Sequence, residues 1–414
     1  MGIRKTLVVL ALASGLAASA ALPAEGQLVM GQYEDEAPFR TWNTYVYSSA
    51  ASLGRGETSF SLAADCSAAL ANPALLLTLP KLSLTLSGSF SRASFFKYSV
   101  VNTGILKTSQ NPALGLYGLD FGGVSARFGS WAAALLVSVA ENYDRPEIRV
   151  EESFRGSPYY SLEVKQSGLL RTIHLSLARS LGERLALGLG LNYLTGDAEK
   201  ELTENYLSEG ITITDRKTFD LTGFYFNGGL TARLSSRWTA GFIIRAPFQK
   251  TAKGHSLVRY AAPRGGTDIS ITASSEDGFR LPAVLGAGVS FWTAPDFRLS
   301  ADIAWHGWSR YEAESFGEPQ EREFRDIFKI GAGAEYGPSL TLFKRKAVIP
   351  LRLGVVVDPQ PMKNPRSAYY SLTLGAGIHW DSLCLDIGFL TGREAGSGNT
   401  LIGQRLAVSL TYRH

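Results

Sequence analysis

Cysteine and methionine are scarce in this chain, at 2 and 3 of 414 residues, and 41 basic against 37 acidic side chains leave a net charge of only +4. Two cysteines exclude a disulfide framework and a thiolate metal cluster. The histidines, His174, His255, His306, His379 and His414, sit on separate segments without metal-ligand or acid–base spacing, so neither a metal, a cofactor nor a catalytic group is expected. Balanced charge offers no basic face to nucleic acid, which is not expected as a partner. Beyond the first twenty residues, no run approaches the roughly 20 apolar residues that a spanning helix needs.

One apolar run does occur, at the start. Arg4 and Lys5 precede Leu7 to Leu16, and Ala17, Ala18, Ser19 and Ala20 follow. A charged stretch, a short apolar core and small residues form the layout of a secretory signal peptide, expected over 1–20 with an alternative end at 24. No cysteine follows to carry a lipid anchor. Export without a spanning helix leaves a free protein or one that crosses a membrane as strands.

What the chain has in quantity is alternation. Leu185, Leu187, Leu189, Leu191 and Tyr193 alternate with Ala186, Gly188, Gly190 and Asn192; Leu372, Leu374, Ala376, Ile378 and Trp380 alternate with small or polar residues. Successive strand side chains point to opposite faces, so each segment has one apolar and one small or polar face. About fourteen segments read this way: 82–94, 112–128, 130–141, 161–179, 184–196, 210–234, 237–249, 279–292, 296–308, 324–337, 347–357, 368–380, 383–393 and 401–412.

The connections alternate in length. Tight turns are expected at 129–130, 180–183, 235–236, 293–295 and 381–382. Long charged excursions are expected at 142–160, 197–209, 250–278, 309–323 and 358–367, with 338–346 as a longer connection on the short side. A membrane barrel has this asymmetry, with short periplasmic turns and long external loops.

The placement of charge separates lipid from lumen. Phe297, Leu299, Ala301, Ile303 and Trp305 share one face and Arg298, Ser300, Asp302, Ala304 and His306 the other. Leu383, Leu385, Ile387 and Phe389 oppose Cys384, Asp386 and Gly388; Leu406, Val408, Leu410 and Tyr412 oppose Arg405, Ala407, Ser409 and Thr411. A soluble sandwich turns its charges outward. Here they share the face of small residues, as in a barrel with a polar lumen, because a Lys or Arg facing lipid at midplane costs about 2–4 kcal/mol. Aromatics near segment ends, among them Phe128, Trp131, Tyr193, Trp238, Trp292, Trp305, Tyr336 and Trp380, suit the membrane interfaces. The fold class expected is all-β: a roughly fourteen-stranded antiparallel transmembrane barrel over 81–414 in the bacterial outer membrane.

Residues 25–80 do not alternate. Alanine- and serine-rich stretches end at Asn72-Pro73-Ala74, which suggests short helical turns closed by the restriction before proline. A segment too small for a domain, placed before a barrel, is expected to fold into the lumen as a partly helical hatch.

With Leu53-Gly54-Arg55-Gly56, Ala64-Asp65, Asn72-Pro73-Ala74, the stretch Ala301 to Ser309, Phe324-Arg325-Asp326 and Leu351 to Gly354 leading to Asp358-Pro359, the chain resembles the FadL/TodX/OmpP1 family of outer-membrane long-chain fatty acid and hydrocarbon transporters. The resemblance implies passive transport of a hydrophobic small molecule, such as a fatty acid, by binding in the lumen and lateral release. The exit would be a wall opening beside a kinked third strand that Asn72, Pro73 and Ala74 contact. Against the family pattern, the external loops are short and charged, without an apolar helical loop for capture. The chain also ends Tyr412-Arg413-His414 rather than on the aromatic itself, so the barrel-assembly machinery would read Tyr412. The competing reading is a non-transporting barrel that docks or shuttles other surface proteins.

A carboxylate ligand would meet an inward cation, for which Lys329, Arg352 and Arg298 (with Arg405) are the candidates, unless these pair with Asp302, Glu335 and Asp386. Val46, Leu53, Phe60 and Leu62 of the hatch are the candidate apolar lining. Cys66 and Cys384 are a candidate bridge holding the hatch. A monomer in contact with outer-membrane lipid is expected.

Overall fold

The computed structural model describes residues 49–94, 106–110, 113–144, 147–263, 266–315, 317–321, 323–342, 344–364, 366–397 and 402–414. The signal-peptide reading, the hatch before residue 49 and Val46 lie outside the described residues.

The strands close into a fourteen-stave antiparallel barrel. In chain order the staves are Leu82–Ser94; Leu106–Gln110 with Ala113–Phe128; Trp131–Asn142 with Ile148–Phe154; Ser157–Leu181; Leu185–Tyr206; Ile211–Arg233; and Trp238–Arg245 with Phe248–Ala261. The eighth is Ile269–Leu281 with Val284–Ala294, then Phe297–His306 with Glu312–Ser315, Glu318–Gln320 with Ile327–Tyr336, Leu351–Pro359, Ala368–Trp380, Leu383–Ala395 and Ile402–Arg413. Neighbours in sequence pair as neighbours in space, and the fourteenth closes on the first with Leu84 opposite Tyr412 and Phe90 opposite Leu406.

The outer surface is the apolar face read from the sequence. Leu86, Leu175, Phe226, Phe242, Ile303, Leu374 and Leu410 are exposed, while Asp302, Arg352 and Asp386 on the opposite parity are buried. Alternation therefore sorts side chains between lipid and lumen.

Four of the expected long loops are ladder instead. The fourth, fifth and sixth staves run to 25, 22 and 23 residues and stay paired to their outer ends. What changes is the face: above the row Arg171–Thr195–Thr222 the outward side chains turn polar, including Lys165, Glu199 and Arg216. The strands leave lipid and stand in water. Residues 250–278 and 309–323 likewise carry strand, interrupted at Pro247, Pro282 and the 3-10 turn Trp308–Arg310. Proline donates no ladder hydrogen bond, so the seventh and eighth staves break side by side, between Arg245–Val284 and Phe248–Leu281. Residues 338–346, read as one connection, contain most of a short hairpin, Ser339–Leu342 with Arg345–Val348.

Residues 49–80 lie inside the barrel as a hatch of two short helices, Ala50–Gly54 and Ala68–Ala71, and the 3-10 turn Pro73–Thr78. Ser49 caps the first through its side chain; Asn72 caps the 3-10 turn, with Pro73 at its first position where no amide is required. Lumen-facing glycines let the hatch backbone lie against the wall. Gly56 adopts φ +67°, and a β-carbon on it would stand 2.2 Å from the Ala332 carbonyl oxygen.

Candidate functional site: a floor, an aromatic chamber and a break in the wall

The floor is the docked hatch. Glu335 of the tenth stave accepts from Arg55 of the hatch at 2.7 Å, from Arg352 at 2.7 Å and from Arg298. Arg352 also reaches Asp386 at 2.6 Å, and His379 contacts the same carboxylate at 3.1 Å. Lys329 pairs with Glu57 of the hatch at 2.8 Å and with Asp358 at 3.6 Å. Asp302 accepts from the Ser59 and Phe60 amides at 2.6 and 2.9 Å.

Lys329, Arg352 and Arg298, expected as ligand cations, are thus engaged by carboxylates, and Arg405 pairs with Asp120 at 3.0 Å. Charges this buried need a compensating partner at close range, and the hatch supplies two of them. The cavity beside Lys329, lined also by Glu57, Phe60, Asp302 and Val356, measures about 20 Å³, room for one water and no acyl chain.

The expected apolar lining is used the same way. Leu53 is fully buried with Ala50 against Leu390 and Ala407, and Phe60 packs with Val284 and Ala304; Leu62 is half-buried. Cys66 and Cys384 are free thiols, which corrects the bridge expected of them. Cys66 donates to the Ser83 carbonyl at 3.3 Å on the side of the first two staves, whereas Cys384 belongs to the thirteenth.

Asn72 donates to the carbonyls of Phe60 at 2.6 Å and Leu230 at 3.2 Å, and its oxygen accepts from the Ala74 amide at 3.1 Å. Asn72, Pro73 and Ala74 therefore lie against the fifth and sixth staves, at Gly188 and Gly229, rather than beside the third strand as the resemblance implies. The Asn72 side-chain nitrogen, which also donates to the Thr231 hydroxyl at 3.3 Å, holds it to the sixth stave. Further along the 3-10 turn, Leu76 and the following Leu79 share a cluster with Phe121 and Leu136 of the second and third staves.

Just above that cluster the wall is interrupted. Among the described residues, the ladder between the second and third staves stops at Phe121–Ser138 and resumes only at Gln110–Ile148. The third stave carries a bulge there: its register to the fourth shifts between Val139 and Glu141, leaving Ala140 as the extra residue. A bulge bends its strand and displaces parity. Ala140, Glu141 and Tyr143 consequently all turn into the lumen.

Between floor and mouth lies a chamber filled by aromatic side chains. Tyr143, Tyr225, Phe248, Phe279, Trp308 and Tyr311 belong to one buried cluster, with Tyr225 and Phe248 stacked at 4.6 Å. Trp308 enters it from the break in the ninth stave. Lys250 donates to the Tyr143 hydroxyl at 2.8 Å, lies 4.7 Å from the Phe279 ring centre and 3.8 Å from Glu141. Tyr143 in turn donates to Glu141 at 2.9 Å. This chain of bonds ties the bulged third stave to the seventh across the lumen.

Above the chamber, the water-exposed sheet is two-sided. Two ladder rows face the mouth: Leu162, Glu204, Ile213, Tyr260 and Ile269, then Val164, Leu202, Asp215, Val258 and Ile271. Eight of these ten positions are apolar or aromatic, whereas the outward rows carry Glu163, Lys165, Glu199 and Arg216. On that outer side Glu163 is held down to about 2, chiefly by its hydrogen bond with Lys165. Tyr160, donating to Glu204 at 3.0 Å, is pushed up to about 12 by burial and that carboxylate.

The bulge escaped sequence reasoning because 130–141 read as an unbroken strand, and the chamber because Tyr143, Lys250 and Tyr311 fell in stretches read as loops. A signal was present: Glu141 breaks parity directly after a strand of small and apolar residues.

No protein-family model and no curated protein matches the chain. Solved structures do. A Pseudomonas aeruginosa FadL homologue aligns with a TM-score of 0.63 and 18% identity over 88% of this chain and 98% of its own. The Ralstonia pickettii toluene transporter TbuX gives 0.60 and 15% over 89% and 98%, and the Pseudomonas putida toluene transporter TodX 0.61 and 14% over 89% and 99%. The chain has the fold of these FadL-type barrels, and a barrel of this kind with an apolar outer belt is a bacterial outer-membrane protein.

Proposed function

We propose that this barrel takes up a hydrophobic small molecule, a long-chain fatty acid or a hydrocarbon, passively across the outer membrane. The observation that carries the reading is the break between the second and third staves, directly above a docked floor and beside an aromatic chamber. The apolar rows at the mouth supply the capture surface that short charged loops lack. A molecule settled there moves from water to an apolar wall, which is favourable by about 25 cal/mol per Å² of apolar area covered. The chamber below continues that wall inward. With the hatch ion-paired beneath it, the exit open to an apolar solute is sideways, at Ala140, where its tail passes into lipid without returning to water. The neighbouring structures, which include toluene transporters, support the same class of cargo.

The test is deletion of Ala140, the extra residue at which the third stave's register to the fourth shifts. Removing the bulge should abolish uptake of radiolabelled palmitate or toluene by cells, while lipid extracted from the purified protein and identified by mass spectrometry stays the same. Undiminished uptake by the deletion variant would rule out the lateral route. An extract without fatty acid or hydrocarbon would rule out the cargo.

A further inference from the structure

Seven strand segments stand above the membrane, and their sheet ends at the eighth stave. Ile269–Leu281 pairs with Phe248–Ala261 along its full length on one side. On the other side, among the described residues, its ladder consists of Phe279–Ala313 and Arg280–Glu312 alone. Residues 269–274 are exposed on both faces, Ile269 at 53% and Ile271 at 63%. An edge of this kind offers a row of backbone donors and acceptors to any extended chain, and proteins usually blunt it with lysine, proline or a bulge. Ile269-Ser270-Ile271-Thr272-Ala273-Ser274-Ser275 has no charge, no proline and no glycine, and its register is unbroken. Ile269, Ile271 and Thr272 are residues that favour strand.

The geometry points to this edge as a docking site for an extended strand of another polypeptide, basic where it meets the hairpin 312–320. The edge's own chemistry specifies the occupant. Backbone groups in strand spacing select a strand, and Ile269 and Ile271 on alternate positions select apolar side chains on one of its faces. At its lower end the edge meets the hairpin of Glu312–Ser315 and Glu318–Gln320, where Glu314 accepts from the Gly278 amide at 2.9 Å. Residues 312–323 hold five glutamates, Glu312, Glu314, Glu318, Glu321 and Glu323, against one arginine. A partner strand running antiparallel would therefore carry lysine or arginine at its first residues.

A second copy does not fit. Two copies in one bilayer are related by an axis along the membrane normal, so their edges rise in the same sense and cannot pair antiparallel. The edge adjoins the mouth, where Ile269 and Ile271 also belong to the apolar rows, and lies away from the wall break between the second and third staves.

The experiment uses the full chain in detergent and a fluorescent peptide of two lysines followed by alternating valine and threonine, read by anisotropy. Saturable binding is expected, with affinity about tenfold weaker for a peptide carrying two glutamates in place of the lysines. Ile271→Lys, at an exposed position, should weaken binding of the lysine peptide by at least about tenfold, and so should a proline at position 270 or 271, whichever removes an outward amide. Retained heat-modifiable migration of each variant on gels shows that the barrel is intact. No binding by the unmodified chain, or binding that ignores both the charge reversal and Ile271→Lys, overturns the assignment.

Discussion

Gly241 of the seventh stave lies so close to Phe60 that a β-carbon on it would stand 1.8 Å from the Phe60 carbonyl oxygen. Hatch and wall meet here backbone to backbone, and the obstructing atom cannot rotate away. Gly241→Val is therefore expected to lift this part of the hatch, with a loss of about 1–3 kcal/mol in stability typical of overpacking. Planar-bilayer recording should show ion leak that the unmodified barrel lacks. Gly122→Ala, where the nearest atom is a leucine methyl at 3.4 Å, is the control and should leave both unchanged. Equal leak from the two variants would show that the glycine contact does not hold the hatch.

Such contacts explain what could and could not be read from the sequence. The faces of the ninth, thirteenth and fourteenth staves follow from alternation alone, because lipid and lumen each demand a different side chain at every second position. Gly188, Gly375 and Gly388 were equally visible, but as small lumen residues; that they admit the hatch backbone depends on a partner some hundreds of residues away. The outer halves of the fourth to sixth staves were hidden for a different reason. Once a strand leaves lipid its outward face turns polar, and the pattern that marked it as membrane strand inverts. The segments read as 237–249 and 279–292 run across Pro247 and Pro282, where the ladder breaks, while 250–278 read as loop because its outward face is polar. The ladder resumes one residue beyond the first proline and ends one residue before the second.

Glu335 is the common acceptor for Arg55, Arg298 and Arg352. Glu335→Gln leaves the guanidinium groups of Arg55, Arg298 and Arg352 without their shared acceptor, with Asp386 still engaging Arg352. Removing one side of a buried pair costs about 3–5 kcal/mol. Urea unfolding in micelles should register that loss. Glu199→Gln, which breaks the exposed pair with Arg216 above the membrane, should leave the midpoint where it was.

The two thiols supply a simpler check. Cys66 and Cys384 are buried and unbridged. Without reductant, the folded protein should resist alkylation and the urea-unfolded protein should take up two labels, read by intact mass. Two labels missing after unfolding would mean that the cysteines are joined.

Lys250 and Glu141 test whether the bulged third stave is held by charge. Their side chains are buried 3.8 Å apart, with the Tyr143 hydroxyl bridging both. Lys250→Met removes the cation beside the Glu141 carboxylate, which keeps the Tyr143 hydroxyl, and should destabilise the protein by about 3–5 kcal/mol. Adding Glu141→Leu removes the remaining charge, so the double variant should recover most of that loss, an apolar pair of similar bulk often being no worse than the ions it replaces. Stability alone does not separate a latch from a filler. The separating measurement is release of bound fatty acid from protein in nanodiscs: a latch predicts faster release from Lys250→Met, because the third stave is no longer tied to the seventh. Release at the unmodified rate, in a variant shown to be less stable, would mean that the bond chain supports the chamber without governing the break at Ala140.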